Sequence, residues 1–186
     1  NLKNWEQLVN KIKAVKPKLK IGVVAKYMSN EDTYLSVFEA IRSAGWYHNV
    51  DIDILWIDSE NISYSKLQDL DLDGIVVPGG FGSRGVEGKI ESAKFARETK
   101  LPYLGLCLGM QVAVIEFARK VLNDPNANSS EMDATAKNQV IHIMPDQIGV
   151  DLGGSMRLGN YKAKLNKKSR AYLAYGQGTA TERHRN

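Results

Sequence analysis

With 186 residues, 43% of them hydrophobic and 25% charged, and a formal charge of only +4, the chain has the balance of one soluble domain able to bury a core. No apolar run approaches the ~18 residues of a membrane span, the first residues do not read as a signal peptide, and one cysteine excludes a disulfide framework, so a reducing cytoplasm is the expected setting. Lysines 11, 13, 16, 18 and 20, and later 162, 164, 167 and 168, lack aromatic interleaving and read as solvated faces, which argues against a nucleic-acid partner and leaves sites for an anionic nucleotide open; with no apolar span, no membrane partner is expected.

Residues 1–18 form an amphipathic helical pattern (Trp5, Leu8, Val9, Ile12) broken by Pro17, placed as a linker helix ahead of a first strand at Lys20–Ala25. A helix over Glu31–Ala44 (Leu35, Phe38, Ile41) is expected to stop at Gly45. Asp51–Ile57 alternates as a strand, and Gly74–Val77 reads as a buried one that runs into Pro78-Gly79-Gly80-Phe81-Gly82. A helix from Val86 to Thr99, a strand at Pro102–Leu106 and a helix after Cys107 follow. Strands alternating with helices predict an α/β fold: an open, mostly parallel sheet with helices on both faces. Beyond residue 123 the pattern weakens. Asn123–Ser130 reads as a polar loop, Val140–Met144 and Arg157–Leu165 as strands, and 145–156 as a mobile loop.

The single cysteine lies in Gly105-Leu106-Cys107-Leu108-Gly109, between a strand and a helix, which is the arrangement of a nucleophile elbow with sulfur as the nucleophile. The turn is too sharp for flanking side chains, and a thiolate at the start of a helix is favoured by the helix dipole. In parallel sheets ligands bind at the carboxyl ends of strands, where both glycine-rich turns fall. Gly79–Gly82 lacks the Lys-Ser/Thr of a Walker A loop and the spacing of a dinucleotide fingerprint. The better reading is an oxyanion hole, with N–H groups at 79–81 and that of Leu108 facing the carbonyl that Cys107 attacks. Gln111, one helical turn after the cysteine, is a site candidate from spacing. Glu131 alone reads as a loop acid and Arg157 as a surface arginine.

These motifs resemble the class I glutamine amidotransferases, in which a cysteine attacks the side-chain amide of glutamine and releases ammonia. KYMSNEDTYLSVFEAI (26–41), GWYHNVDIDILWIDSENI (45–62), VVPGGFGSRGVEGKI (76–90), PYLGLCLGMQVAVIEFAR (102–119), NANSSEMD (126–133), GGSMRLG (153–159) and ERHR (182–185) together are similar to the glutaminase domain of the CTP synthase family. PGGFG and CLGMQ mark only the wider superfamily; ANSSE, MRLG and ERHR narrow it. The resemblance implies a flavodoxin-like fold, with Cys107 forming a glutamyl thioester and Gly79 as the oxyanion-hole glycine. It implies that Gly80, Phe81 and Leu108 line the substrate and that Gln111 and Glu131 recognise L-glutamine. Arg157 would belong to the lid through which GTP activates allosterically. The glutaminase part needs no cofactor or metal. ATP, UTP and Mg2+ belong to an N-terminal synthetase domain, which partners residues 19–186 and builds the homotetramer of the full enzyme. The fragment alone is expected to be a monomer or weak dimer.

The chain departs from the family at its base. The family takes a histidine and a glutamate from a His-Pro-Glu motif beyond the ERHR segment, and these 186 residues hold no such motif. His48, after a helix end, reads as a turn or solvated residue, His142 as a structural histidine in a late strand, and His184 as part of ERHR. Residues are expected to be missing after Arg185 and near Gln147, and without them the chain is expected to bind glutamine weakly and to be acylated slowly but not to turn over. A different amidotransferase or a gamma-glutamyl peptidase shares the elbow without the ANSSE–MRLG–ERHR set. Elbow proteins of chaperone or deglycase type carry an acid just before the nucleophile turn, where this chain has Leu104 and Leu106. The non-enzymatic alternative is a catalytically incomplete binding or regulatory module.

Overall fold

The computed structural model describes residues 2–26, 31–145, 149 and 158–185. The chain divides into two compact units, Asn1–His142 and Ile143–Asn186.

In the first unit, four short apolar segments become strands: β1 (Lys18–Ala25), β2 (Asp51–Asp58), β3 (Gly74–Val77) and β4 (Tyr103–Gly105). They form one parallel sheet in the order β2-β1-β3-β4. Val23 pairs with Trp56 on one side and Val76 on the other, and Val77 with Gly105, so the carboxyl ends of β3 and β4 lie side by side. Alternation along the strands sorts the core into two layers. Val23, Ala25 and Val76 pack with Tyr34, Phe38 and Trp56 under α2 (Leu35–His48). Val24, Ile57, Ile75 and Val77 face the other way, beneath α4 (Val86–Thr99) and α5 (Leu108–Leu122), against Ile90, Phe95, Val112 and Ile115. This is the expected open parallel sheet with helices on both faces.

Several boundaries move. The first helix, α1, spans Lys3–Lys13 with no buried residue; Trp5 is 67% exposed. α2 runs through Gly45 to His48 instead of stopping there. A Cβ on Gly45 would stand 2.6 Å from Ile52, so the glycine serves close helix–strand packing, and Asn49 at φ 59° provides the stop. His48 is accordingly the last helical residue and not in the turn, and it is exposed, as a solvated role requires. A short helix α3 (Tyr64–Gln68), capped by Ser63, was not foreseen. Within the supposed polar loop, β5 (Asn128–Ser129) pairs in parallel with β6 (Gln139–Ile141). β6 ends at Ile141, which leaves His142 exposed and outside any strand.

The second unit is an antiparallel pair, β7 (Leu158–Lys164) with β8 (Thr179–Arg185), joined through α6 (Arg170–Tyr175). The His184 ring stands 4.9 Å from that of Tyr161. Among the described residues no helix is long and apolar enough to cross a membrane.

Candidate active site

β4 delivers the chain to Cys107 through a turn with almost no lateral room. The Leu106 N–H donates to the Val77 carbonyl at 2.9 Å, so β3 supports the turn. The Gly109 N–H donates to Leu106 O, and those of Met110 and Gln111 donate to Cys107 O, which starts α5. Cys107 itself is held at φ 53°, ψ −107°, a region a side chain rarely occupies and one in which strain marks function. A Cβ on Gly105 would meet the Gly109 carbonyl carbon at 2.4 Å, and one on Gly109 would meet Val77 O at 1.9 Å. Both flanking glycines are therefore obligatory, and the thiol is exposed at the top of the sheet. The Tyr103 hydroxyl donates to Gly109 O at 2.8 Å; burial pushes this phenol up, which keeps it a donor.

The turn after β3 packs against the nucleophile. A Cβ on Gly79 would lie 3.4 Å from the Cys107 Cβ and 4.0 Å from its Sγ, so only a bare backbone leaves the approach to the sulfur open. The Cβ position of Gly80 stands 3.6 Å from Leu108 Cδ2. Leu108 is buried in the core with Val112 and Ile115, so only its main chain is available to a ligand. Phe81 is 58% exposed, and its carbonyl accepts from Lys26 Nζ at 2.7 Å.

The fold thus brings Gly79, Gly80, Phe81, Cys107, Leu108 and Gln111 together at the ends of β3 and β4. Glu131 is exposed on the turn after β5, its N–H donating to Ser129 Oγ, while its neighbour Met132 packs against the core cluster of Leu108 and Val112. Arg157, like Asp146 and Gln147, lies outside the described residues. His48 ends the helix that leads into the start of β2, and so lies at the opposite end of the sheet from the elbow. Among the described residues no group of three or more His, Cys, Asp or Glu could hold a metal ion. Sequence reasoning missed Lys89: on α4, next to Ile90, it is wholly buried with no hydrogen-bond partner for its Nζ. Its place on the apolar stripe of Val86, Ile90, Ala93 and Ala96 was the available signal.

A cysteine elbow on a parallel α/β sheet, with a glycine turn against the sulfur, defines a class of acyl-transfer proteins, and the chain belongs to the class I glutamine amidotransferase family, whose pattern matches residues 30–185. More narrowly, it is 52% identical over 189 residues to the CTP synthase of Roseiflexus sp. (strain RS-1), covering all of this chain and 34% of that protein. It is 52% identical over 188 residues to the CTP synthase of Carboxydothermus hydrogenoformans, covering 35% of it. The chain thus spans about a third of the length of the curated relatives it matches. A solved structure described as the Trypanosoma brucei CTPS glutaminase domain with bound acivicin superposes with a TM-score of 0.81 at 38% identity, covering 90% of this chain and 66% of that one.

Proposed function

We propose that this chain is the glutamine-hydrolysing part of a CTP synthase. The observation that carries the reading is the strained Cys107 with Gly79 packed against its sulfur, in a chain homologous to a CTPS glutaminase domain. The Cys107 thiolate adds to the side-chain amide carbon of L-glutamine. The oxyanion that forms takes hydrogen bonds from the N–H groups of the 79–81 turn and of Leu108. Collapse breaks the C–N bond; the nitrogen takes up a proton and leaves as ammonia, and a glutamyl thioester remains. Water then hydrolyses the thioester to glutamate and restores the thiol.

In this reading Gln111 and Glu131 recognise the substrate, the carboxylate suiting an ammonium and the side-chain amide suiting an amide. The exposed Phe81 ring and the Gly80 backbone flank the bound glutamine. The histidine and glutamate that move the protons belong to further sequence of the longer enzyme. That enzyme's synthetase domain, reached through the residue 1–18 linker, uses ATP, UTP and Mg2+ to turn UTP and ammonia into CTP within a homotetramer. GTP would act through the segment containing Arg157.

The test is intact mass before and after acivicin. One adduct, mapped to Cys107 and absent from Cys107→Ser, supports the reading, whereas no adduct refutes a competent glutamine pocket and leaves a binding or regulatory module.

A further inference from the structure

Lys89 lies on the stripe by which α4 packs on the sheet, alongside Val86, Ile90, Ala93 and Ala96. A lysine there would ordinarily find a carboxylate or carbonyls, because an ammonium removed from water without partners is strongly destabilising. Lys89 is 0% exposed and its Nζ has no hydrogen-bond partner. That nitrogen stands 3.7 Å from where a Cβ on Gly80 would be. A second lysine reaches the same turn from the end of β1: Lys26 Nζ donates to the Phe81 carbonyl at 2.7 Å and lies 3.7 Å from the Cβ position of Gly82. Two cations therefore bracket Gly80–Gly82, and their repulsion adds to the burial that lowers Lys89 to about 8. Packing alone would favour an apolar side chain at position 89. A costly group beneath the turn that packs against Cys107 points to a functional demand.

We propose that Lys89, backed by Lys26, is a positioning residue that forms an electropositive floor beneath the 79–82 turn, complementary to negative charge carried at the Cys107 site. The turn links the two directly, since the next residue before Gly80 is Gly79, whose Cβ position is 4.0 Å from Cys107 Sγ. Because the Lys89 ammonium is itself buried, its field is poorly screened and reaches past one residue's length, and it needs no movement as the oxyanion forms. The inference rests on Cys107 being the nucleophile of the proposed function.

The experiment measures Cys107 alkylation by iodoacetate and by iodoacetamide, which differ in charge, on wild type, Lys89→Met and Lys89→Arg. The expected result is an iodoacetate-to-iodoacetamide rate ratio about threefold to tenfold lower in Lys89→Met and retained in Lys89→Arg. Lys89→Met should also melt at an equal or higher temperature than wild type, because it removes an unpaired buried charge. An unchanged ratio overturns the proposal, as does a melting temperature that falls while both alkylation rates change together. On wild type alone, the preference should survive 1 M KCl, since a buried cation is poorly screened; its disappearance would assign it to surface charge and overturn the proposal. Neither reagent resembles glutamine, so this ratio and the acivicin adduct fail independently.

Discussion

A Cβ on Gly109 would stand 1.9 Å from the carbonyl oxygen of Val77, a backbone atom at the end of the central strand β3. No rotamer change relieves such a contact, so Gly109→Ala must push α5 off the sheet. We expect a loss of about 3 kcal/mol or more, or failure to fold, by urea denaturation. Gly178→Ala, at a position with nothing within 4 Å, is the control and should stay within about 0.5 kcal/mol.

α4 and α5 are clamped by Arg97 and Glu116, whose Nε–Oε distances are 3.0 and 2.9 Å, with a further Nη2–Oε1 bond of 2.8 Å. The Glu116 side chain is buried, whereas that of Arg97 is partly exposed. Arg97→Met strands a buried carboxylate and should cost about 2–4 kcal/mol. Glu116→Gln leaves a cation that water can reach and should cost about 1 kcal/mol. Equal losses in the two variants would contradict this asymmetry.

Lys89 gives stability a defined pH dependence. Burial, with Lys26 second, lowers it from 10.5 to about 8 in the native state. Between these values the unfolded chain holds the proton and the native chain does not, so stability rises with pH across that window and falls as pH drops through 8. The full effect is of order 3 kcal/mol. Urea midpoints at pH 7 and 9.5 should show wild type gaining on Lys89→Met at the higher pH; parallel behaviour would rule the effect out.

The helix α1 buries no side chain, and Lys11 Nζ ties it to α2 by donating to Tyr47 O at 2.7 Å. Deleting residues 2–10 should therefore shift stability by less than about 1 kcal/mol by thermal unfolding. The Lys16–Asp51 ion pair at 3.0 Å, which anchors the chain to the start of β2, remains in that deletion.

The parts of this architecture that were legible in sequence are those set by local chemistry. Val86–Thr99 shows helical spacing and is α4 to the residue. The cysteine between two glycines could only be a sharp turn, since each glycine avoids a backbone collision. Gly45 misled because a glycine that stops a helix and one that lets a helix approach a strand look alike until Ile52 is seen beside it. α6 and β8 carry weak periodicity because β8 pairs only with β7 in a two-stranded sheet and α6 buries no residue. Lys89 was masked by its chemistry: its place on the α4 stripe pointed inward, but a lysine between Glu87 and Glu91 reads as solvated.

The backbone of Cys107 at φ 53° is held by Val77 on β3, Leu106 in the turn after β4 and Gly109 on α5, which meet only in the finished sheet. A nascent or unfolded copy carries an ordinary cysteine in a pliable chain. The distinctive thiol and the completed β3–β4–α5 layer therefore arise in one event, so thiol-labelling kinetics can serve as a clock for the folding of this half of the sheet.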